Sequence, residues 1–294
     1  MTDQSAANLF LDVPALLQRS IPRAPGRRFA YVAGAFFIML IFSLLASAPS
    51  APLLPQFIAI VGMLGLIVAM GIISTSAARS ARREQNEMQA AEELIQLRRW
   101  DQAAIMLDNI LSRPARSPQA RVQMLLYLCA ILARYHRYTD VIAVYDHLLE
   151  LDYQDEHAVH ALRLGRAMSI LHDDRLYDAD RAIIELRRDS AAPNSAGLAL
   201  VEIYRDVKTG HPREAIDLFH EKLPLFRRHI GHRIADAYAL VARAYDLLQL
   251  QPDAQAAYES ATLLIPEPEL HRRYTEVAAL AGRYHPASIP TEAP

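Results

Sequence analysis

Hydrophobic and polar positions divide the chain into two regions of different character. Residues 29–78 contain no charged side chain and no histidine. A helix needs about 20 apolar residues to cross the hydrocarbon core of a bilayer, so this run has room for two such helices and a turn. Three prolines within 48–55 place the turn, because proline lacks the backbone donor that a helix needs. We predict membrane spans at 29–47 and 56–76.

The placement of arginines predicts how this hairpin is oriented. Arginines flank it on both sides, whereas the turn is uncharged: Arg19, Arg23, Arg27 and Arg28 precede it, and Arg79, Arg82 and Arg83 follow it. Positive charge collects on the cytoplasmic side of a membrane. We therefore expect an integral protein of the inner or plasma membrane, with residues 1–28 and the C-terminal region in the cytoplasm. A cleaved signal peptide ending near Ala48 is the alternative, and the second span would still anchor the chain.

From Glu84 onward, apolar residues recur with the 3.6-residue period of amphipathic helices. The clearest unit runs from 234 to 266. Its landmarks are Tyr238, Val241, Ala242 and Tyr245 in a first helix, then Ala254, Tyr258, Ala261 and Pro266 in and after a second. This unit resembles the tetratricopeptide repeat at all eight signature positions. The resemblance implies a helix pair in which small residues allow close packing.

Weaker copies of the same unit occur upstream. Their second-helix landmarks are Ala103, Val141, Ala179 and Ala215, and the preceding first helices carry Ala91, Cys129, Gly165 and Tyr204 at or near the signature. The resemblance covers residues 84–282. We predict an all-α chain in which the transmembrane hairpin of 29–78 is followed by an α-solenoid of about five tetratricopeptide-like helix pairs. One capping helix over 268–282 and a disordered tail, 283–294, complete it.

Composition and motifs argue against catalysis and against nucleic-acid binding. The formal net charge is -2, and only ten glycines and one cysteine occur. No phosphate-binding loop, zinc-protease motif or nucleophile elbow is present. The histidine pairs 157/160 and 229/232 have helical spacing but no evident third ligand for a metal. Cys129 occupies a small packing position. We predict no enzymatic activity, no cofactor and no metal.

The tetratricopeptide resemblance implies a concave groove, lined by the first helices, that binds an extended peptide or a partner helix. Projecting the family's geometry onto this chain selects eight candidate groove residues: Glu92, Tyr127, Arg134, Arg163, Arg166, Arg205, Arg243 and Asp246. Five arginines among them suggest an acidic partner segment, because a guanidinium binds carboxylates in bidentate fashion. The alternative is a set of ordinary solvated charges, each paired with a nearby acid.

Two functions remain open from the sequence. The first is a membrane-anchored scaffold or adaptor whose cytoplasmic repeats bind partner proteins and concentrate them at the membrane. The second is an accessory subunit of a membrane-embedded secretion, translocation or envelope-biogenesis complex, in which the hairpin itself contacts the partners. An enzyme with an unrecognised site is a third hypothesis, and it would require a polar cluster with shifted pKa values in a pocket.

Overall fold

A computed structural model describes most of the chain outside the predicted hairpin. The described residues are 11–19, 78–79, 82–113, 117–151, 155–188 and 195–284, with the single positions 34, 65 and 75. Nearly all of spans 29–47 and 56–76 lies outside them. Among the described residues, no helix combines the length and the apolar character needed to cross a bilayer. These residues form helices and their connections, without a strand, as predicted for an all-α chain.

Thirteen α-helices are numbered here in chain order over the described residues. The first seven are α1 (Val13–Arg19), α2 (82–96), α3 (Trp100–Leu111), α4 (Pro118–Arg134), α5 (Tyr138–Leu149), α6 (Glu156–His172) and α7 (Leu176–Arg188). The remainder are α8 (Ala196–Thr209), α9 (Pro212–His229), α10 (Ile234–Leu247), α11 (Gln251–Leu264), α12 (Glu267–Arg273) and α13 (Ala278–Tyr284). The chain forms two compact units, Met1–Leu128 and Cys129–Pro294.

Five successive helix pairs, α2/α3 to α10/α11, share one packing register. In each pair a buried first-helix residue precedes a buried second-helix residue by 12 positions. The pairs are Ala91 and Ala103, Cys129 and Val141, Ala167 and Ala179, Ile203 and Ala215, and Ala242 and Ala254, all at most 3% exposed. Such constant spacing makes these pairs structural repeats, and it is consistent with the predicted α-solenoid.

The turn inside each pair is also repeated. Seven positions after the buried first-helix residue, the backbone adopts positive φ, at Arg98, His136, Asp174, Gly210 and Gln249. The amide of the following residue then bonds to the carbonyl five residues earlier, as between Arg137 and Leu132 at 3.0 Å. This is the 6→1 bond of a Schellman motif, which ends a helix and redirects the chain. Every first helix therefore ends in the same way.

The structure corrects the predicted register of the third and fourth repeats. Ala167, rather than Gly165, lies 12 positions before Ala179, and Ile203 is the equivalent residue before Ala215. Gly165 serves a different contact, because a Cβ built there would lie 2.5 Å from the ring of Tyr145 in α5. The glycine thus makes room for an aromatic side chain of the preceding repeat. The sequence pattern did not separate these two roles of a small residue.

In the first unit, the N-terminal helix α1 packs against α3. Leu11, Val13 and Leu16 are buried, at 7%, 0% and 3% exposure. Asp12 accepts a hydrogen bond from the amide of Ala15 at 3.1 Å and so caps the start of α1. Part of segment 1–28, which the sequence analysis assigned only to the cytoplasm, therefore belongs to the folded core of this unit.

The single capping helix predicted over 268–282 is wrong, because the structure divides this stretch into three elements. These are α12, a 3₁₀ turn at Thr275–Val277 and α13. Tyr274 separates them with an extended backbone, φ −132° and ψ 96°. Helix α13 continues to Tyr284, so Arg283 and Tyr284 do not belong to the predicted tail. The other residues of that tail, 285–294, lie outside the described residues.

Candidate partner-binding face

Residues 267–284, called here the C-terminal segment, contact side chains from four first helices of the second unit. The contacted residues are called the first-helix face and comprise Arg134, His172, Tyr204, Lys208, Asp236 and Asp246. Arg134, His172 and Lys208 each lie five positions after the buried first-helix residue of their repeat. Because the repeats share one register, equivalent positions point in equivalent directions. The face is thus a product of the repeat geometry.

Four ion pairs of alternating sign join the segment to the face. They are Glu269–Arg134 at 2.8 Å, Arg273–Asp236 at 3.1 Å, Glu276–Lys208 at 3.0 Å and Arg283–Asp246 at 2.7 Å. Along the segment, the signs read acidic, basic, acidic, basic. The face therefore presents both charges to its occupant. A face of mixed charge differs from the surface for an acidic partner segment that the five arginines suggested.

The segment also buries its apolar side chains. Leu270, Tyr274, Val277 and Leu280 are at most 1% exposed, and Tyr284 is 8% exposed. Burying side chains of this size stabilises a contact by about 1.5–3 kcal/mol each before the entropy of ordering is subtracted. The ion pairs therefore surround an apolar contact, and the hydrophobic effect supplies most of the attraction.

Tyr274 lies at the centre of an aromatic cluster. Its ring centroid is 5.5 Å from that of His172 and 5.2 Å from that of Tyr204, which it meets edge to face at 88°. His172 in turn stacks on Tyr138 at 4.7 Å. Burial raises the pKa of Tyr138 to about 12. Burial, followed by the positive charges of Lys208 and Arg233, lowers the pKa of His172 to about 3. The imidazole is consequently neutral at physiological pH.

The hydroxyl of Tyr204 connects the cluster to the ion pairs. It donates to Glu276 Oε1 at 3.2 Å and lies 3.1 Å from Nδ1 of His172. Burial and the negative charge of Glu276 raise the pKa of Tyr204, so its proton stays in place. Both contacts are satisfied when the neutral imidazole carries its proton on Nδ1 and donates to the tyrosine oxygen. The carboxylate thus anchors the segment to α8 through two side chains, Tyr204 and Lys208.

At the other end of the segment, the carboxylate of Asp246 in α10 accepts three hydrogen bonds. Arg243 Nη1 donates to it at 2.6 Å, Arg283 Nη1 at 2.7 Å and the hydroxyl of Tyr284 at 3.2 Å. Asp246 is only 4% exposed. A buried carboxylate needs several such donors to offset its loss of hydration. The C-terminal segment supplies two of the three.

The second unit places five of its six predicted groove residues in two different locations. Arg134, Arg243 and Asp246 lie at the first-helix face. Arg163 and Arg166 instead line a polar cavity of about 350 Å³ with residues of α5 and α7. Arg163 is nine positions from His172 in α6, which is half a turn out of phase at 3.6 residues per turn. One helix therefore cannot direct both residues to the same surface.

Acidic side chains pair with most of the predicted arginines. Arg166 binds Asp146 at 2.5 Å in the cavity, and Arg205 contacts Asp206 at 3.0 Å and Asp180 at 3.6 Å. These pairs fit the alternative of ordinary charges matched by nearby acids. In the first unit, Glu92 accepts a hydrogen bond from the hydroxyl of Tyr127, whose pKa is raised by burial and by that bond.

Sequence reasoning missed three residues of the first-helix face. His172, Tyr204 and Lys208 were outside the projected groove because the third and fourth repeats had been assigned a shifted register. One sequence signal could have corrected the register. In the clearest repeat, the small first-helix residue precedes the small second-helix residue by 12 positions, and the same spacing applies to the third and fourth repeats. Glu269, Arg273 and Glu276 lie within 268–282, for which the sequence predicted only a capping helix and no contact with the first helices.

Other chemistry is limited in the described part of the chain. No group of three or more histidine, cysteine, aspartate or glutamate side chains is placed there to hold a metal ion. His160, one of the spaced histidines, lies 3.2 Å from the hydroxyl of Ser195. Burial raises the pKa of the Cys129 thiol to about 12, which keeps it protonated and unreactive at neutral pH.

Comparisons of the chain with protein-family models, with curated proteins and with solved structures give no match.

Proposed function

We propose that this protein is a membrane-anchored scaffold whose cytoplasmic helical repeats, of tetratricopeptide type, bind a segment of a partner protein on the first-helix face. One observation carries the proposal. The face already holds a peptide-like stretch of this chain, residues 267–284, through four ion pairs and a buried aromatic cluster. A surface that receives one short helical segment has the shape and the polar groups to receive another.

The proposed mechanism is recruitment without bond chemistry. The charge-free run of 29–78 would hold the repeats at the membrane, with the arginines that flank it on the cytoplasmic side. A partner bound to the first-helix face would then be concentrated in a thin layer beneath the bilayer. Its encounters with membrane components become effectively intramolecular, which raises the rate of weak interactions without any new contact.

Partner capture in intact cells tests the scaffold. A photo-crosslinking residue replaces Arg243, which lies beside the end of the C-terminal segment. The matched control replaces Tyr177, which is 84% exposed on second helix α7. We expect one discrete foreign protein to be captured at position 243 and not at 177. Equal capture at both positions, or capture of lipid alone, would refute a binding role for the face.

The membrane anchor is tested separately by cysteine labelling. Cys129 is buried and its thiol is protonated, so the natural chain provides a low background. Ser50→Cys lies in the predicted turn, and Arg227→Cys lies at an exposed position of α9. A membrane-impermeant maleimide added to intact cells should label position 50, and position 227 only after permeabilisation. The reverse pattern would contradict the proposed orientation.

A further inference from the structure

The strongest unexplained feature is that the chain's own C-terminal segment occupies the first-helix face. Its chemical pattern can be read from the contacts. Relative to Glu269, a base follows at +4 (Arg273), an acid at +7 (Glu276) and a base at +14 (Arg283). Buried apolar or aromatic side chains stand at +1, +5, +8, +11 and +15. The first-helix face is complementary to this series of charges and apolar groups.

The connection to the segment interrupts the helix that precedes it. Helix α11 ends at Leu264, Ile265 is extended with φ −135° and ψ 134°, and Pro266 follows. Proline at 266 and 268 prevents a continuous helix from joining α11 to the segment. Helices α12 and α13 have seven residues each. Helices this short are unstable in isolation, so a released segment would be a flexible chain.

Several of the joining charges remain accessible to water and thus to a competitor. The side chains of Arg273 and Arg283 are 40% and 57% exposed, and Glu276 is 22% exposed. Local opening of one segment can cost less free energy than unfolding of the whole fold. A competing segment could exchange the outer ion pairs first and then replace the aromatic contact of Tyr274.

From these observations we propose that the first-helix face recognises a partner segment with alternating acidic and basic residues around a central aromatic side chain, and that residues 267–284 occupy the face until such a segment displaces them. This inference rests on the proposed scaffold function and specifies its partner. The partner is a protein segment of mixed charge, not a uniformly acidic one, because Asp236 and Asp246 of the face each bind a base.

The test uses the full chain in lipid nanodiscs and a fluorescent synthetic peptide of residues 266–284. In the opened variant, Glu269→Gln and Glu276→Gln weaken the internal segment. The control variant, Glu185→Gln with Glu221→Gln, removes two carboxylates whose partners are Arg181 and Lys222, away from the face. We expect the opened variant to bind the peptide at least about tenfold more tightly than the wild type or the control. A scrambled peptide should not bind.

Hydrogen exchange measures whether the segment opens in the variant while the rest of the unit stays folded. In the opened variant, amides of 267–284 should exchange faster than in the wild type, while α6 and α8 keep their protection. If exchange accelerates in this way but the peptide binds no better, the face does not accept a segment in trans and the proposal fails. If 267–284 exchanges only together with α6 and α8, the segment is a permanent part of the core and the proposal also fails.

A second copy of the chain is the competing occupant. Mixing an Arg134→Cys chain with a Glu269→Cys chain reports it, because a disulfide between them requires exchanged segments. Efficient formation of this disulfide-linked dimer would overturn the proposal in favour of self-association. The scaffold is judged independently by crosslinking at Arg243. Capture of a partner there, combined with no peptide binding by the opened variant, would retain the scaffold and reject the displaceable segment.

Discussion

Arg134 Nη1 lies 2.8 Å from Glu269 Oε2, although the two residues are 135 positions apart in the chain. Arg134 ends the first helix of the second repeat, and Glu269 belongs to the C-terminal segment that follows the fifth. Both side chains are 19% exposed. Their contact means that the chain after the last repeat returns to an early repeat of the same unit instead of covering only the last one.

This pair should be energetically coupled. Arg134→Gln should lower the free energy of unfolding by about 1 kcal/mol, because one charge-assisted hydrogen bond is lost. Glu269→Gln should lower it by at least as much, because its carboxylate also pairs with Arg272 and Arg273. The double variant should lose less than the sum of the two, with a coupling of about 0.5–1 kcal/mol in a double-mutant cycle. Urea unfolding followed by helical circular dichroism measures this. Strict additivity would show that the two side chains are not energetically coupled.

His172 should make the second unit sensitive to acid. Its folded pKa, about 3, is far below the value of 6.5 for an unperturbed histidine. The unfolded state therefore binds more protons between these values, and stability is lost as the pH falls from about 6.5 towards 3. Between pH 7.5 and pH 5, the wild type should lose as much as about 2 kcal/mol through this one group.

Replacing His172 by glutamine removes the titrating group. His172→Gln should be less stable than the wild type at pH 7.5, because its contacts with Tyr204 and Tyr274 are lost. The difference should then shrink by pH 5. The control is His157→Gln at an exposed position, which should keep the pH dependence of the wild type. Parallel pH profiles for the wild type and His172→Gln would contradict the assignment of a buried neutral imidazole.

Gly165 should tolerate no larger residue. An alanine Cβ there would lie 2.5 Å from the ring of Tyr145, and relieving this overlap requires that ring to move. We expect Gly165→Ala to lower the free energy of unfolding by about 1–3 kcal/mol. Gly282→Ala, with nothing within 4 Å, should be neutral or stabilising by up to about 1 kcal/mol. Adding Tyr145→Leu to Gly165→Ala should recover part of the loss if the overlap is its cause.

The repeated positive-φ turn predicts opposite effects at two equivalent positions. Gly210 has φ 77° and Gln249 has φ 61°. A side chain in this region costs about 1–2 kcal/mol, whereas glycine adopts it freely. Gly210→Ala should therefore destabilise the chain by about 1 kcal/mol, and Gln249→Gly should stabilise it by up to about 1 kcal/mol. Thermal unfolding of both variants checks this, and a change of the same sign at both positions would count against a shared turn.

Local patterns determined the helical class and the approximate positions of the repeats. Apolar residues at a 3.6-residue period require helices with one buried side, and small residues such as Ala242 and Ala254 require a close helix pair. Both are properties of neighbouring residues, so the sequence carries them directly. For this reason, the landmarks predicted for the first, second and fifth repeats coincide with buried residue pairs of the structure. The charge-free run of 29–78 likewise follows from local composition, and the membrane hairpin inferred from it stays a prediction.

Tertiary structure alone decided what covers the first helices. Glu269, Tyr274 and Glu276 look like ordinary residues of an amphipathic helix, and nothing adjacent to them in the chain identifies their partners. Those partners, Arg134 and Tyr204 among them, become neighbours only because the second unit stacks its repeats in one register and the proline at 266 redirects the chain. Contacts between distant positions depend on the sum of many turn and packing angles. A local sequence pattern does not contain this information, so the contacts between the C-terminal segment and the first helices could be identified only from the tertiary structure.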